Sequence, residues 1–167
     1  MMTFNIIKRK KNPLGLITNS QWLIVLLFVA VFGILYFLKN SKFLDLLMLF
    51  FFFGIIGIII FRFMDYEKLN ANIIGKLIVD KEYFLIDNIK IHISEIGYLH
   101  MKIKHFTNEE QELYLYKFNP QYFMGKGNYF KIITKSNKEY EGEFLIQSRM
   151  EFLKLENYYK DLSKISK

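Results

Sequence analysis

A chain of 167 residues with a net charge of +7 and no cysteine has room for a membrane anchor plus a domain of about 100 residues. The lack of cysteine excludes disulfides, thiolate catalysis and Cys-ligated metals. A positive total invites a nucleic-acid reading, but residues 66–167 carry sixteen basic against fourteen acidic groups. The excess sits beside the apolar segments, as a topology signal does, and lines no binding face.

In chain order, residues 1–21 read as a basic cytoplasmic segment carrying Lys8, Arg9, Lys10 and Lys11. Two uncharged runs follow, 22–38 and 46–61, each with thirteen Leu, Ile, Val or Phe residues. With its flanks each run reaches the ~20 residues needed to cross a ~30 Å hydrocarbon core. The first is too long for a signal-peptide h-region and lacks a small-x-small cleavage site. Residues 22–64 are therefore expected to form a two-helix transmembrane hairpin. Its turn, Lys39, Asn40, Ser41 and Lys42, is short enough to hold the helices antiparallel.

Orientation follows from Lys and Arg counts. Four basic residues precede the first run, and Arg62 and Lys68 follow the second, against two in the turn. Both termini are expected in the cytoplasm, with the protein multi-pass in the inner membrane of a bacterium. The bacterial source rests on heavy use of Ile, Lys, Asn and Phe, the flavour of an AT-rich genome. Asp45 reads as the only acid near a span; its place in the first helical turn suits the helix dipole better than an ion relay. Gly54 and Gly57 suit close helix packing, within the hairpin or against another subunit.

From residue 73 the hydrophobic pattern changes to alternation, the mark of half-buried strands. Ile89, Ile91 and Ile93 alternate with Lys90, His92 and Ser94, and Leu99, Met101 and Ile103 with His100, Lys102 and Lys104. Tyr140, Gly142, Phe144 and Ile146 alternate with acids in the same way. Adding 74–79, 83–86, 113–118 and 129–135 predicts seven strands, separated by turn residues such as Asp87-Asn88 and Ser136-Asn137. After Gln147 the period becomes helical. Ser148 is a cap with Glu151 three residues on, and Phe152, Leu155, Tyr159 and Leu162 share one face.

Seven strands and one terminal helix match the element order of the pleckstrin-homology-like (PH-like) superfold. The stretches Gly75-Lys-Leu-Ile-Val79, Ile91-His-Ile-Ser-Glu-Ile96, Gly127-Asn-Tyr-Phe-Lys-Ile132 and Tyr140-Glu-Gly-Glu-Phe-Leu-Ile-Gln-Ser148 resemble the strands of bacterial PH-like domains. The resemblance implies a bent seven-stranded sandwich or barrel over residues 65–167, capped by the C-terminal helix. Such domains often follow one or two membrane helices. The basic cluster of phosphoinositide-binding relatives is not matched: Lys76 and Lys81 are interrupted by Asp80 and Glu82.

Candidate sites are few. Tyr114, Tyr116 and Tyr122, in an aromatic-rich middle, are the candidate partner surface. Lys102, Lys104 and Lys126 are the candidate anion or lipid contact. Residues 125–128, Gly-Lys-Gly-Asn, could form an anion nest but lack the helix and the Ser/Thr of a phosphate loop. His92, His100 and His105 carry no recognised metal spacing. No catalytic motif, cofactor, metal or nucleic-acid partner is expected. The sequence reads as a membrane-anchored, non-enzymatic module acting through protein–protein contacts, or alternatively as a lipid or membrane-surface sensor.

Overall fold

The computed structural model describes residues 1–12, 17–37, 41–111 and 120–165. The chain divides into two compact units. One comprises Met1–Asn12, Leu69–Glu109 and Phe123–Lys167, the other Pro13–Lys68 and Glu110–Tyr122.

The first unit is built on a seven-stranded antiparallel sheet. Its strands are β1 (Met2–Arg9), β2 (Ala71–Val79), β3 (Tyr83–Ile86), β4 (Ile89–His92), β5 (Ile96–Lys102), β8 (Asn128–Thr134) and β9 (Glu139–Leu145), in the order β4-β3-β2-β1-β9-β8-β5. Between β5 and β8 two short strands, β6 (Thr107–Glu110) and β7 (Tyr122–Met124), form a second sheet. Inward residues of both halves of the large sheet meet in one core: Phe4 and Ile6 from β1, Leu77 and Val79 from β2, Phe130 and Ile132 from β8, and Phe144 from β9. Alternation along each strand puts these side chains on one face, as the sequence pattern requires.

The N-terminal expectation needs correction. The sequence predicts a basic segment over residues 1–21 that stands apart from the sheet domain, yet Met2–Arg9 is a strand at the middle of the sheet, with Met2 opposite Val79 and Arg9 opposite Ala71. The physical reason is the alternation of Phe4 and Ile6, both buried, with Thr3 and Asn5. The domain therefore begins before the apolar runs, and its chain is interrupted by them. Lys10 N–H donates to the Asn70 carbonyl at 2.9 Å, and Asn70 Nδ2 donates to the Asn12 carbonyl at 2.8 Å. The two ends of the insertion are thus held side by side.

The terminal helix α3 (Arg149–Ile165) follows its predicted caps. Ser148 Oγ accepts from Glu151 N–H at 3.2 Å, and the Glu151 carboxylate reaches back to Gln147 N–H at 3.1 Å. Leu155 is fully buried, and Phe152, Tyr159 and Leu162 pack on the core as expected, joined by Tyr158. Tyr158 donates to the Asp80 carbonyl at 2.7 Å. Burial, with Asp80 nearby, pushes its hydroxyl up to about 12.

The second unit holds α1 (Asn19–Phe37) and α2 (Ser41–Arg62). Among the described residues only α1 carries a full-length apolar span, Asn19–Tyr36, with mean hydropathy 1.9; the apolar part of α2 is Leu46–Arg62. The helices pack through Phe28 edge-on to Phe51, with ring centroids 5.4 Å apart, and through Gly54. A Cβ at Gly54 would stand 2.9 Å from a Leu27 methyl, so this glycine packs inside the pair, whereas Gly57 opens on empty space. The turn residues Lys39 and Asn40, the Asp45 side chain and the strand expected at 113–118 lie outside the described residues.

The acid that matters near a span is Asp65. It follows α2 by three residues and is 3% exposed. One carboxylate oxygen accepts from Ser20 N–H at 2.9 Å and Ser20 Oγ at 2.6 Å, and the other from Tyr66 N–H at 3.0 Å. Thr18 and Gln21 form a reciprocal capping box at the same helix start: Gln21 Oε1 accepts from Thr18 N–H at 2.9 Å, and Thr18 Oγ1 from Gln21 N–H at 3.4 Å. The start of α1 and the end of α2 are thereby clasped by a negative charge at a helix N-terminus, where the dipole favours it.

Candidate functional site

The polar cleft of the sheet unit lies along edge strand β4. It has a volume of 480 Å³ and is lined by Ile89, Lys90 and Ile91, by Ser94 and Glu95 of the 3-10 turn after β4, and by residues of the β8–β9 turn. The turn is rigidly specified. Thr134 N–H donates to the Lys138 carbonyl at 2.9 Å, Thr134 Oγ1 accepts from Lys138 N–H at 3.0 Å, and Asn137 takes the left-handed φ of 60° that asparagine tolerates. Lys135 N–H donates to the Glu95 carbonyl at 2.8 Å, which fixes the turn against the 3-10 segment.

Three lysines, Lys90, Lys135 and Lys138, and one acid, Glu95, line this cleft. Lys90 Nζ stands 4.2 Å from the centre of the Tyr83 ring, a cation–π contact that orients the ammonium. Ile89, Ile91 and Tyr140 supply an apolar wall. The alternation predicts Ile89 inward with Ile91, but Ile89, the first residue of β4, is 48% exposed while Ile91 is 2% exposed; β4 is an edge of the sheet among the described strands. A basic, partly apolar cleft beside a strand edge can take an extended chain carrying carboxylates: lysines neutralise the charge and edge backbone groups pair with the guest.

The candidates read from sequence fall elsewhere. Lys102 lies on β5 opposite Tyr129, and Lys104 N–H donates to Asn128 Oδ1 at 2.6 Å, so the structure brings Lys104 beside the 125–128 turn that carries Lys126. That turn is organised internally. Asn128 is fully buried, and its amide donates to the carbonyls of His105 at 2.8 Å and Gly125 at 2.7 Å. Gly125 and Gly127 adopt φ of 67° and 89°, and a Cβ at Gly125 would meet the Ile146 carbonyl at 2.3 Å. Glycine is required there by the fold, which accounts for the motif without a ligand.

Tyr122 belongs to the helical unit, where it stacks on Tyr66 with ring centroids 5.0 Å apart. Its carbonyl accepts from Glu67 N–H at 2.9 Å. Tyr114 and Tyr116 lie outside the described residues. His92 and His100 are exposed, as expected. His105 stacks on Phe123 at 3.7 Å and meets the Glu109 carboxylate at 2.9 Å.

A larger cavity of 520 Å³ is a groove on the helical unit lined by Ile34, Leu46, Leu47, Leu49, Phe50 and Phe53. Its described lining is apolar throughout, so the lysine cleft is the better site.

No family model, curated protein or solved structure matches this chain.

Proposed function

We propose that the chain is a membrane-anchored PH-like binding module of a bacterial inner membrane, with both termini cytoplasmic, acting through protein contacts and not through chemistry. The observation that carries this reading is the insertion point of the two apolar helices. Arg9 and Ala71 are opposite one another on adjacent strands. Both ends of the insertion then lie on the same side of any bilayer, and a chain that crosses in α1 has to cross back before Ala71. Helix α2, 22 residues long, is the segment available for the return.

Two further observations support the anchor. Large apolar side chains such as Phe32, Phe50 and Phe53 are more than half exposed, a surface suited to hydrocarbon and not to water. The basic residues crowd the ends of the insertion, as the positive-inside rule requires of a cytoplasmic flank. The PH-like reading is supported by seven antiparallel strands around one core with a single terminal helix packed on it.

The contact surface in this reading is the cleft along β4, and the guest is an extended, acidic segment of a partner protein. The test is purification of the full chain in mild detergent beside a Lys90→Glu, Lys135→Glu, Lys138→Glu variant. A defined partner held by the parent and lost at least about tenfold by the variant is the expected result. A partner retained equally by both refutes the assignment of the cleft, and vesicle binding with no co-purifying protein refutes protein contact as the function. A membrane-surface role is the second reading, favoured by the exposed run Lys8, Arg9, Lys10 and Lys11.

A further inference from the structure

The β1–β2 ribbon extends past its neighbours. Its own ladder runs as far as Arg9 opposite Ala71, whereas β9 pairs with β1 only at Asn5, Ile6 and Ile7, and β3 pairs with β2 only at Leu77, Ile78 and Val79. The projecting tip carries two unlike surfaces together. On β2, the consecutive residues Ile73 and Ile74 are 60% and 58% exposed. Strand alternation would bury one of such a pair, but the register shifts between Ile6 and Ile7, opposite this stretch, and among the described residues no strand pairs with the outer side of β2 here. On β1 and just beyond it, Lys8, Arg9, Lys10 and Lys11 are all exposed. Arg9 pairs with Glu143 at 2.7 Å, and the three lysines extend the charge toward the insertion.

We propose that this ribbon tip is a membrane-surface contact: Ile73 and Ile74 enter the headgroup–acyl boundary of an anionic bilayer while Lys8, Lys10 and Lys11 lie over its acidic headgroups. The inference rests on the anchored reading and names the lipid chemistry that reading leaves open. Charge complementarity selects the occupant, since adjacent lysines beside exposed aliphatic residues match an anionic interface and would oppose a second copy of the same basic tip. Covalent reach agrees. Lys11 stands eight residues before Asn19, the first residue of α1, so the extended connection spans at most about 28 Å.

The lack of native cysteine makes a direct test available. An Ile74→Cys chain labelled with a polarity-sensitive fluorophore is reconstituted, at full length, into vesicles of phosphatidylcholine alone or mixed with phosphatidylglycerol. A Lys81→Cys label in the exposed β2–β3 turn is the control. In phosphatidylglycerol vesicles the label at 74 should shift to the blue and be quenched by headgroup-attached spin label at least about threefold more than the label at 81. High salt, or Lys8→Gln, Lys10→Gln and Lys11→Gln together, should remove most of that difference.

Equal quenching at both positions overturns the proposal. So does a shift at 74 that is indifferent to lipid charge, or one that grows with protein density, which marks the free β2 edge as a self-association site. Alkaline extraction separates this from the anchor. A chain that resists extraction while the label at 74 stays in water defeats the surface contact alone, and a chain that is extracted defeats the anchor and the contact together.

Discussion

Replacing Asp65 opens the clasp between the start of α1 and the end of α2, and the size of the effect can be worked from its bonds. The carboxylate is almost fully buried and accepts from Ser20 N–H, Ser20 Oγ and Tyr66 N–H. A hydrogen bond to a charged group is worth about 1.5–3 kcal/mol, so Ser20→Ala, which removes the 2.6 Å hydroxyl bond, should cost about 2 kcal/mol. Asp65→Ala removes the acceptor for two Ser20 donors and the anion at the helix N-terminus, and should cost about 3–5 kcal/mol. Asp65→Asn keeps the shape and loses the charge, and should fall between parent and Asp65→Ala. Once Asp65 is Ala, Ser20→Ala should cost far less than in the parent, a coupling of at least about 1 kcal/mol. Trp22, the single tryptophan, lies two residues beyond Ser20 and reports the transition by fluorescence during denaturant titration in micelles. Additive single and double variants, or an Asp65→Ala cost below about 1 kcal/mol, would refute the clasp.

Other perturbations test the sheet unit. A Cβ at Gly75 would stand 1.9 Å from Asp87 Oδ1, which accepts from Lys76 N–H at 2.9 Å. Gly75→Ala should therefore lower the thermal midpoint, and adding Asp87→Gly, which removes the clash and suits the φ of 53°, should recover most of the loss. Asn128→Ala strips partners from the Lys104 and His105 N–H groups and from the His105 and Gly125 carbonyls, and should cost about 2–4 kcal/mol by urea titration. The Tyr158 hydroxyl is raised from 10.0 to about 12, so the folded state favours its neutral form. That stability is intact below pH 10 and is lost between pH 10 and 12 as the unfolded chain ionises first. In Tyr158→Phe the fall in unfolding midpoint between pH 9.5 and 11.5 should be shallower than in the parent, which about two pH units of titration can resolve.

Local signals carried much of the fold. Tyr83–Ile86 forms β3 at the expected limits, Ile91 and Met101 point into the core as their alternation requires, and Ser148 caps α3. Strand β1 escaped because its partner β2 lies beyond both apolar helices, and because Lys8, Arg9, Lys10 and Lys11 satisfied a topology signal that masked the alternation before them. The lysine cleft was not legible for a related reason. Lys90 sits on β4, and Lys135 and Lys138 belong to a turn some forty-five residues later, on strands that do not pair with β4; the Lys135 N–H to Glu95 carbonyl bond brings that turn to the segment after β4. The glycine-rich 125–128 stretch is the loop its missing helix and Ser/Thr imply, since Asn128 uses its amide on backbone groups of the fold itself.

The central claim, that the chain leaves the sheet at β1, crosses the membrane twice and returns at β2, is tested most directly by thiol accessibility in intact cells. Single cysteines at Thr3, Ser41 and Ser166 place a label in β1, at the start of α2 and near the C-terminus of the sequence. The account predicts that an impermeant reagent added outside reacts with Ser41→Cys only, and reaches Thr3→Cys and Ser166→Cys only after lysis. Labelling of Thr3→Cys and Ser166→Cys from outside with Ser41→Cys protected would invert the orientation, and labelling of all three alike would contradict the double crossing.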